Sequence, residues 1–266
     1  MPSGLNEMLI FMVFALLWLI WWCLRLGRCY MAVIGLMWTG KSVIRAPMRT
    51  FFRSLRFLIC AVCLGVAGCA GIGAEKHWIP LFNGKDLAGW EQLNGLAKYS
   101  VEDHCIVGSS VPNSPNSFLC TKKEYADFEL EFEVKVDAAL NSGVQIRSHS
   151  LPDYQKGRVH GYQVEIAVDG FSGGIYDEAR RAKFLNHPDK PTSEVRQLVK
   201  DNQWTKYRVV CQGDHIQTWV NGVKVTDLHD GMTKSGFIGL QVHSVGARED
   251  PLQVRWRNLR LRELSS

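Results

Sequence analysis

The sequence predicts an all-β fold, two antiparallel sheets packed as a sandwich, and three observations lead there. Apolar and polar residues alternate with a period of two in many short runs, the runs are separated by Gly, Asn and Asp turn signals, and helical periodicity is nearly absent. The clearest run is Phe128–Val136, which places Phe128, Leu130, Phe132, Val134 and Val136 on one face and Glu129, Glu131, Glu133 and Lys135 on the other. Similar runs occur at 143–148, 162–168, 207–212, His215–Val220, 236–243 and 252–261. Asn221-Gly222, between Trp219-Val220 and Val223-Lys224-Val225, is a hairpin signal. Only 178–201 reads as a long loop or helix, with weak helical character over 179–184 before Pro188 and Pro191 stop it.

Taken in order, the chain begins with two apolar segments that do not belong to this sandwich. Residues 8–22 are almost wholly apolar and approach the roughly 20 residues that span a bilayer. From Met48 a second unit starts: Arg49, Arg53 and Arg56 form a positive n-region, 57–66 an apolar h-region, and Val66-Ala67-Gly68-Cys69 a small-residue cleavage site. That order resembles a bacterial lipoprotein signal over 48–69, with Cys69 as the lipidated residue. Two consecutive export signals are redundant, so the preferred expectation is translation from Met48, with 1–47 a mis-assigned extension. The alternative is a genuine N-terminal membrane anchor. Residue 70 is Ala rather than Asp, which by lipoprotein sorting rules favours the outer membrane; the expected place is its periplasmic face or the cell surface. Residues 70–77 read as a linker and 78–264 as one domain, long enough for one sizeable core.

Charge follows the same division. Of 31 basic and 26 acidic residues, seven bases and one acid precede residue 69, so the rest of the chain carries 24 bases against 25 acids. A nucleic-acid partner therefore has no electrostatic support. Three cysteines lie in the domain, Cys105, Cys120 and Cys211. Two readings stand for them: a Cys105–Cys120 disulfide in an oxidising compartment, or three buried free thiols acting as small hydrophobes. Trp78, Trp90 and Trp256 fall near strand ends, as core aromatics do.

Several motifs occur together in a fixed order. They are F-N-G-K-D-L-A-G-W at 82–90, Asn141-Ser-Gly-Val-Gln-Ile-Arg147, Gly161-Tyr-Gln-Val-Glu-Ile166, Gly173-Gly-Ile-Tyr-Asp-Glu178, Trp204 with Tyr207-Arg208, Trp219-Val-Asn-Gly222 and Val254-Arg-Trp-Arg-Asn-Leu-Arg-Leu-Arg262. With them the chain resembles the 3-keto-disaccharide hydrolase domain family across essentially all of 78–264. The resemblance implies a concanavalin A-like, laminin-G-like jelly roll acting on glycosides oxidised to a ketone at C3, in proteins that are often secreted or lipid-anchored.

The residues themselves add a candidate site. Where Val144, Ile146, Tyr162, Val164, Ile166, Leu240 and Val242 point inward, alternation sends Gln145, Arg147, Gln163, Glu165, Gln241 and His243 outward. If their strands are neighbours, these six line one concave face, with Tyr176 or Trp219 as nearby aromatic surface and Asp177 beside them. Outward faces of antiparallel sheets are also polar simply because water wets them, but solvated faces favour Lys and Glu, and this one is rich in Gln. Glu129, Glu131 and Glu133, by contrast, read as an ordinary solvated face.

A ketone at C3 acidifies the C2 proton, so a base and a stabilising cation suffice for elimination of the C1 group, and water then adds back. Glu165 or His243 is the expected base and Arg147 the group that holds the enolate oxygen, with Gln145, Gln163, Tyr176, Asp177 and Gln241 as binding residues. Glu165 paired with Asp177 or Glu178 would instead suit a two-carboxylate glycosidase. No cofactor is required; a divalent metal held by Glu165, Asp177, His243 and His160 is the alternative electrophile. A non-catalytic carbohydrate-binding role on the same sandwich stays open.

Overall fold

The computed structural model describes residues 77–186 and 197–265. The expected leader and lipobox cysteine, and the expected linker 70–77 except His77, lie outside the described residues. Among the described residues fifteen strands run β1 (Ile79–Pro80), β2 (Trp90–Leu93), β3 (Lys98–Glu102), β4 (Cys105–Ser109), β5 (Ser117–Thr121), β6 (Phe128–Val136), β7 (Ser142–His149), β8 (His160–Ile166), β9 (Ile175–Glu178), β10 (Phe184–Asn186), β11 (Thr205–Gln212), β12 (His215–Val220), β13 (Val223–His229), β14 (Phe237–Val242) and β15 (Gln253–Glu263). They form two antiparallel sheets, one in the order β13-β12-β11-β6-β15-β4-β3 with β1 also paired to β15, the other β10-β9-β8-β7-β14-β5-β2. The fold is the expected jelly-roll sandwich. Among the described residues no helix is long and apolar enough to cross a membrane.

The core lies between the sheets. Phe128, Leu130, Phe132, Val134 and Val136 of β6 face Val144, Ile146, Tyr162, Val164, Ile166, Leu240 and Val242 of the second sheet, all essentially inaccessible to water. Phe132 stacks on Tyr207, the ring centroids 5.0 Å apart. Trp90 and Trp256 are core as expected, whereas Trp78 is half-buried, with Arg260 4.5 Å above its ring.

Four expectations need correction. The outer face of β6 is not an ordinary solvated one: Glu129 is buried and bound by Arg208 and Arg262, Glu131 by Arg260, and Glu133 by Arg257. Arg208 also lies 4.2 Å over the Trp219 ring and Arg257 3.9 Å over Trp204. Such cross-strand charge pairs add about 0.2–1 kcal/mol each. Second, the described part of 178–201 holds no helix. Ala179 and Ala182 take φ of 55° and 50°, which a helix does not allow, and the chain turns back from β9 into β10. Third, of the two readings for the cysteines the disulfide falls and the other stands: Cys105, Cys120 and Cys211 are free buried thiols, and Cys105 and Cys120 belong to opposite sheets.

The fourth correction bears on the site. The pairing of β7 with β8 shifts between Ile146 and His149, and that with β14 shifts between the partners of Gln145 and Ser148. One extra residue therefore bulges from β7 at Arg147, whose φ is 47°. Gly161 opposite has φ 138°, and a Cβ there would come within 2.3 Å of Ser148 Oγ, so the bulge needs glycine in its partner strand. Past the bulge the two-residue alternation no longer holds.

Candidate active site

The outer face of the second sheet carries the site, and strand register lays out its floor. Glu165 on β8 pairs with Gly143 on β7, which pairs with Gln241 on β14; one step along, Gln163 pairs with Gln145, and Gln145 with Gly239. Gly143 leaves room for the Gln163 side chain to lie over it, since an added Cβ would be 2.6 Å from Gln163 Cδ. Gln163 is thereby free to meet its neighbours. Its Oε1 accepts from Gln145 Nε2 at 2.6 Å and Gln241 Nε2 at 2.8 Å, while its Nε2 donates to Glu165 Oε2 at 2.9 Å. Ser148 Oγ donates to Gln145 Oε1 at 2.9 Å, closing the row at its far end.

Glu165 is the chemical centre of this floor. It is 6% exposed, and burial pushes its carboxyl up to about 7 against the donors Asn141 and Gln163, with Asp169 and Glu178 pushing the same way as burial. Asn141 Nδ2 donates to Oε1, so each carboxylate oxygen meets one amide. A buried carboxyl poised near neutrality is the profile of a general base.

Around it stands a rim contributed by several elements. β9 alternates, so Tyr176 and Glu178 face the hollow; Asn116 comes from just before β5, Asn141 from just before β7, Arg158 from the loop before β8 and His243 from the end of β14. With Phe184 they enclose a cleft of about 320 Å³ over Gln163 and Glu165. A larger cleft of about 670 Å³ adjoins it, reaching to Asn94, Gln155, Lys156 and Ser244, and the two share Asn116, Arg158, Glu178 and His243. Glu178 is itself 6% exposed; burial raises its carboxyl, opposed by Arg158, His243 and Asn116. Arg158 approaches it at 3.8 Å. Burial and the two nearby glutamates push the Tyr176 hydroxyl up, so it keeps its proton as a donor.

Of the residues expected to gather here, Glu165, Gln163, Tyr176 and His243 do. Gln145 and Gln241 lie on the same face but are fully buried and reach the cleft only through Gln163; Gln241 Oε1 has no hydrogen-bond partner. Arg147 does not face the cleft, because the bulge turns it away. It is wholly buried, donating to Ala126 O and Gly213 O at 2.7 Å each and pairing with Asp127 at 2.8 Å. Asp177 also points away, as alternation along β9 requires, and is neutralised by Arg180 and Arg181. Trp219 belongs to the other sheet, and the His160 ring lies 3.9 Å from that of Tyr154 with its Nδ1 at Arg158 O. The metal set of Glu165, Asp177, His243 and His160 is therefore not assembled, and among the described residues no other group of three ligating side chains is.

Asn116 and Arg158 carry no signal in the sequence; Asn141 enters only as the first residue of a motif, and Glu178 only as the end of another and as a partner for a glycosidase. For Glu178 a signal existed, its even spacing from Tyr176 in Ile175-Tyr176-Asp177-Glu178. The others sit outside strands, where alternation says nothing.

The family model described as a 3-keto-alpha-glucoside-1,2-lyase-like domain matches residues 77–262. No curated protein matches the chain. Among solved structures, a Parabacteroides distasonis protein provisionally described as a glycosyl hydrolase is similar at 22% identity and TM-score 0.53, over 71% of this chain and 94% of that one. A Bacillus subtilis protein with a galectin-like fold matches at 12% identity and TM-score 0.51, over 70% and 94% of the two chains. The Bacillus licheniformis beta-glucanase matches at 13% and 0.50, over 71% and 98%. At these identities the structures speak to the fold.

Proposed function

Because this chain belongs to the 3-keto-alpha-glucoside-1,2-lyase-like domain family, whose members act on carbohydrates, we propose that it cleaves 3-keto-glycosides, 3-keto-disaccharides among them, by elimination followed by hydration. The observation that carries the reading is Glu165: a buried carboxyl raised to about 7, gripped by two amides at the floor of a polar cleft. In the elimination Glu165 takes the C2 proton, acidified by the neighbouring ketone, and the electron pair passes into the enolate. Arg147 being elsewhere, the charge on the C3 oxygen falls to donors that line the cleft, Arg158, Asn116 and the Tyr176 hydroxyl. The enolate re-forms its carbonyl-conjugated double bond as the C1–O bond breaks, and water adds across C1–C2 to complete net hydrolysis. Buried Glu165 serves this step better than His243, which stands at the rim.

The route asks for no cofactor, so chelation is expected to leave turnover intact. The setting we propose is an exported, lipid-anchored protein at the periplasmic face of the outer membrane or on the cell surface, joined through Cys69; mass spectrometry of the native N-terminus checks it. The function is tested by incubating the purified domain with a 3-keto-glucoside and its unoxidised parent. Release from the keto compound alone supports elimination, release from both points to an ordinary glycosidase, and saturable binding without release makes the domain a carbohydrate-binding module.

A further inference from the structure

The two clefts meet along one line of side chains, and that line divides the roles in the reaction. The smaller cleft holds Glu165 and is sized for a single sugar ring, while the larger one, about 670 Å³, lacks Glu165 and opens on the far side of Glu178, His243 and Arg158. Resting on the function proposed above, we propose that the larger cleft receives the departing unit of the substrate, a hydroxyl-rich group such as a second sugar, and that Glu178 on the divide delivers the proton its oxygen needs.

The second carboxyl answers a need that Glu165 leaves open. When the C1–O bond breaks, its electron pair goes to the glycosidic oxygen, and a sugar alkoxide leaves poorly unless it is protonated in the same event. Glu165 has by then taken the C2 proton and lies on the floor of the small cleft. Glu178 borders both compartments, is nearly buried, and lies beside Asn116, Arg158 and His243. The proton moves from Glu178 to the leaving oxygen, giving a neutral alcohol, a 3-keto-1,2-ene and a Glu178 carboxylate. The carboxylate is compensated by Arg158, 3.8 Å away. In the hydration half-reaction Glu178 recovers its proton from the incoming water as hydroxide adds at C1, and Glu165 returns its proton to C2, so both groups end as they began. Burial favours the protonated form of Glu178 that the first half requires.

The test compares Glu178→Gln with the wild type on two 3-keto-glucosides, one releasing glucose and one releasing a nitrophenolate, which departs without a proton. Glu178 as acid predicts a loss of about a hundredfold or more on the disaccharide, at least about tenfold greater than the loss on the nitrophenyl compound. Equal losses on both assign Glu178 to holding the cleft together and overturn the inference while leaving the function standing. A wild type that turns over neither compound overturns both. Enlarging a side chain in the outer cleft, Ser244→Trp, is expected to raise KM for the disaccharide several-fold more than for a 3-keto-glucoside with a methyl leaving group. Equal changes in KM would remove the larger cleft from substrate binding.

Discussion

Replacing Glu165 by Gln separates the stability of this fold from its chemistry. Burial raises the folded-state carboxyl from its ordinary 4.5 to about 7, so the folded protein holds the proton more tightly than the unfolded chain does. The stability this contributes is complete below about 4.5 and is lost as pH climbs through about 7. At about 1.4 kcal/mol per tenfold change, the loss amounts to about 3 kcal/mol. Glu165→Gln never ionises and so escapes it. Its amide would set an N–H against either Gln163 Nε2 or Asn141 Nδ2, a mismatch that adds a fixed cost whatever the pH, so the informative quantity is the slope. Urea unfolding of both proteins from about pH 4 to about pH 8.5 is expected to show the variant gaining about 3 kcal/mol on the wild type, with the gain complete by about pH 8. Turnover of a 3-keto-glucoside is expected to fall at least about a hundredfold in the same variant. A stability difference constant to within about 0.5 kcal/mol across that range would show that Glu165 does not titrate near neutrality, and the assignment of the base would go with it.

Other perturbations probe the same arrangement from its supports. Wild-type turnover of the nitrophenyl 3-keto-glucoside, whose leaving group needs no acid, should rise with pH along a limb centred near 7, read from kcat/KM profiles, as Glu165 ionises. Gly143→Ala drives a methyl into Gln163; it should cost about 1–3 kcal/mol in urea unfolding and, by removing a donor to the carboxylate, move that limb upward. Arg147→Met should cost about 1–3 kcal/mol, because it leaves half-buried Asp127 and the carbonyls of Ala126 and Gly213 without the guanidinium that binds them, while the limb in the kcat/KM profile stays in place. Asp177→Asn, which weakens the pairing with Arg180 and Arg181, should lower stability by about 1–3 kcal/mol in thermal or urea unfolding and likewise leave the limb where it is.

How far the sequence could be read depended on how local the physics was. β6 and β12 begin and end where alternation put them, because a strand with one buried face writes its burial directly into every second residue. The same rule brought Gln163 and Glu165 to the outer face and would have brought Tyr176 and Glu178 had it been applied to β9. It failed at Arg147, since a bulge of one residue leaves the composition of the strand untouched and depends on Gly161 in the strand alongside. It failed again at 178–184, where two alanines with left-handed backbone and the pull of Asp177 on two arginines outweighed weak helix propensity. Asn116, Asn141 and Arg158 lie far apart in the chain, and only the order β9-β8-β7-β14-β5 gathers them.

The irregularity in β7 behaves like a half-turn in a ribbon: whatever follows it changes sides while the ladder of backbone hydrogen bonds carries on. In a relative one residue shorter at that spot, the guanidinium now clamping the end of the opposite sheet would swing out over the cleft. Chain length at a single position, more than the identity of any side chain, would then decide whether a fixed cation overlooks the cleft or the hollow is left to its amides and the exposed arginine on its rim.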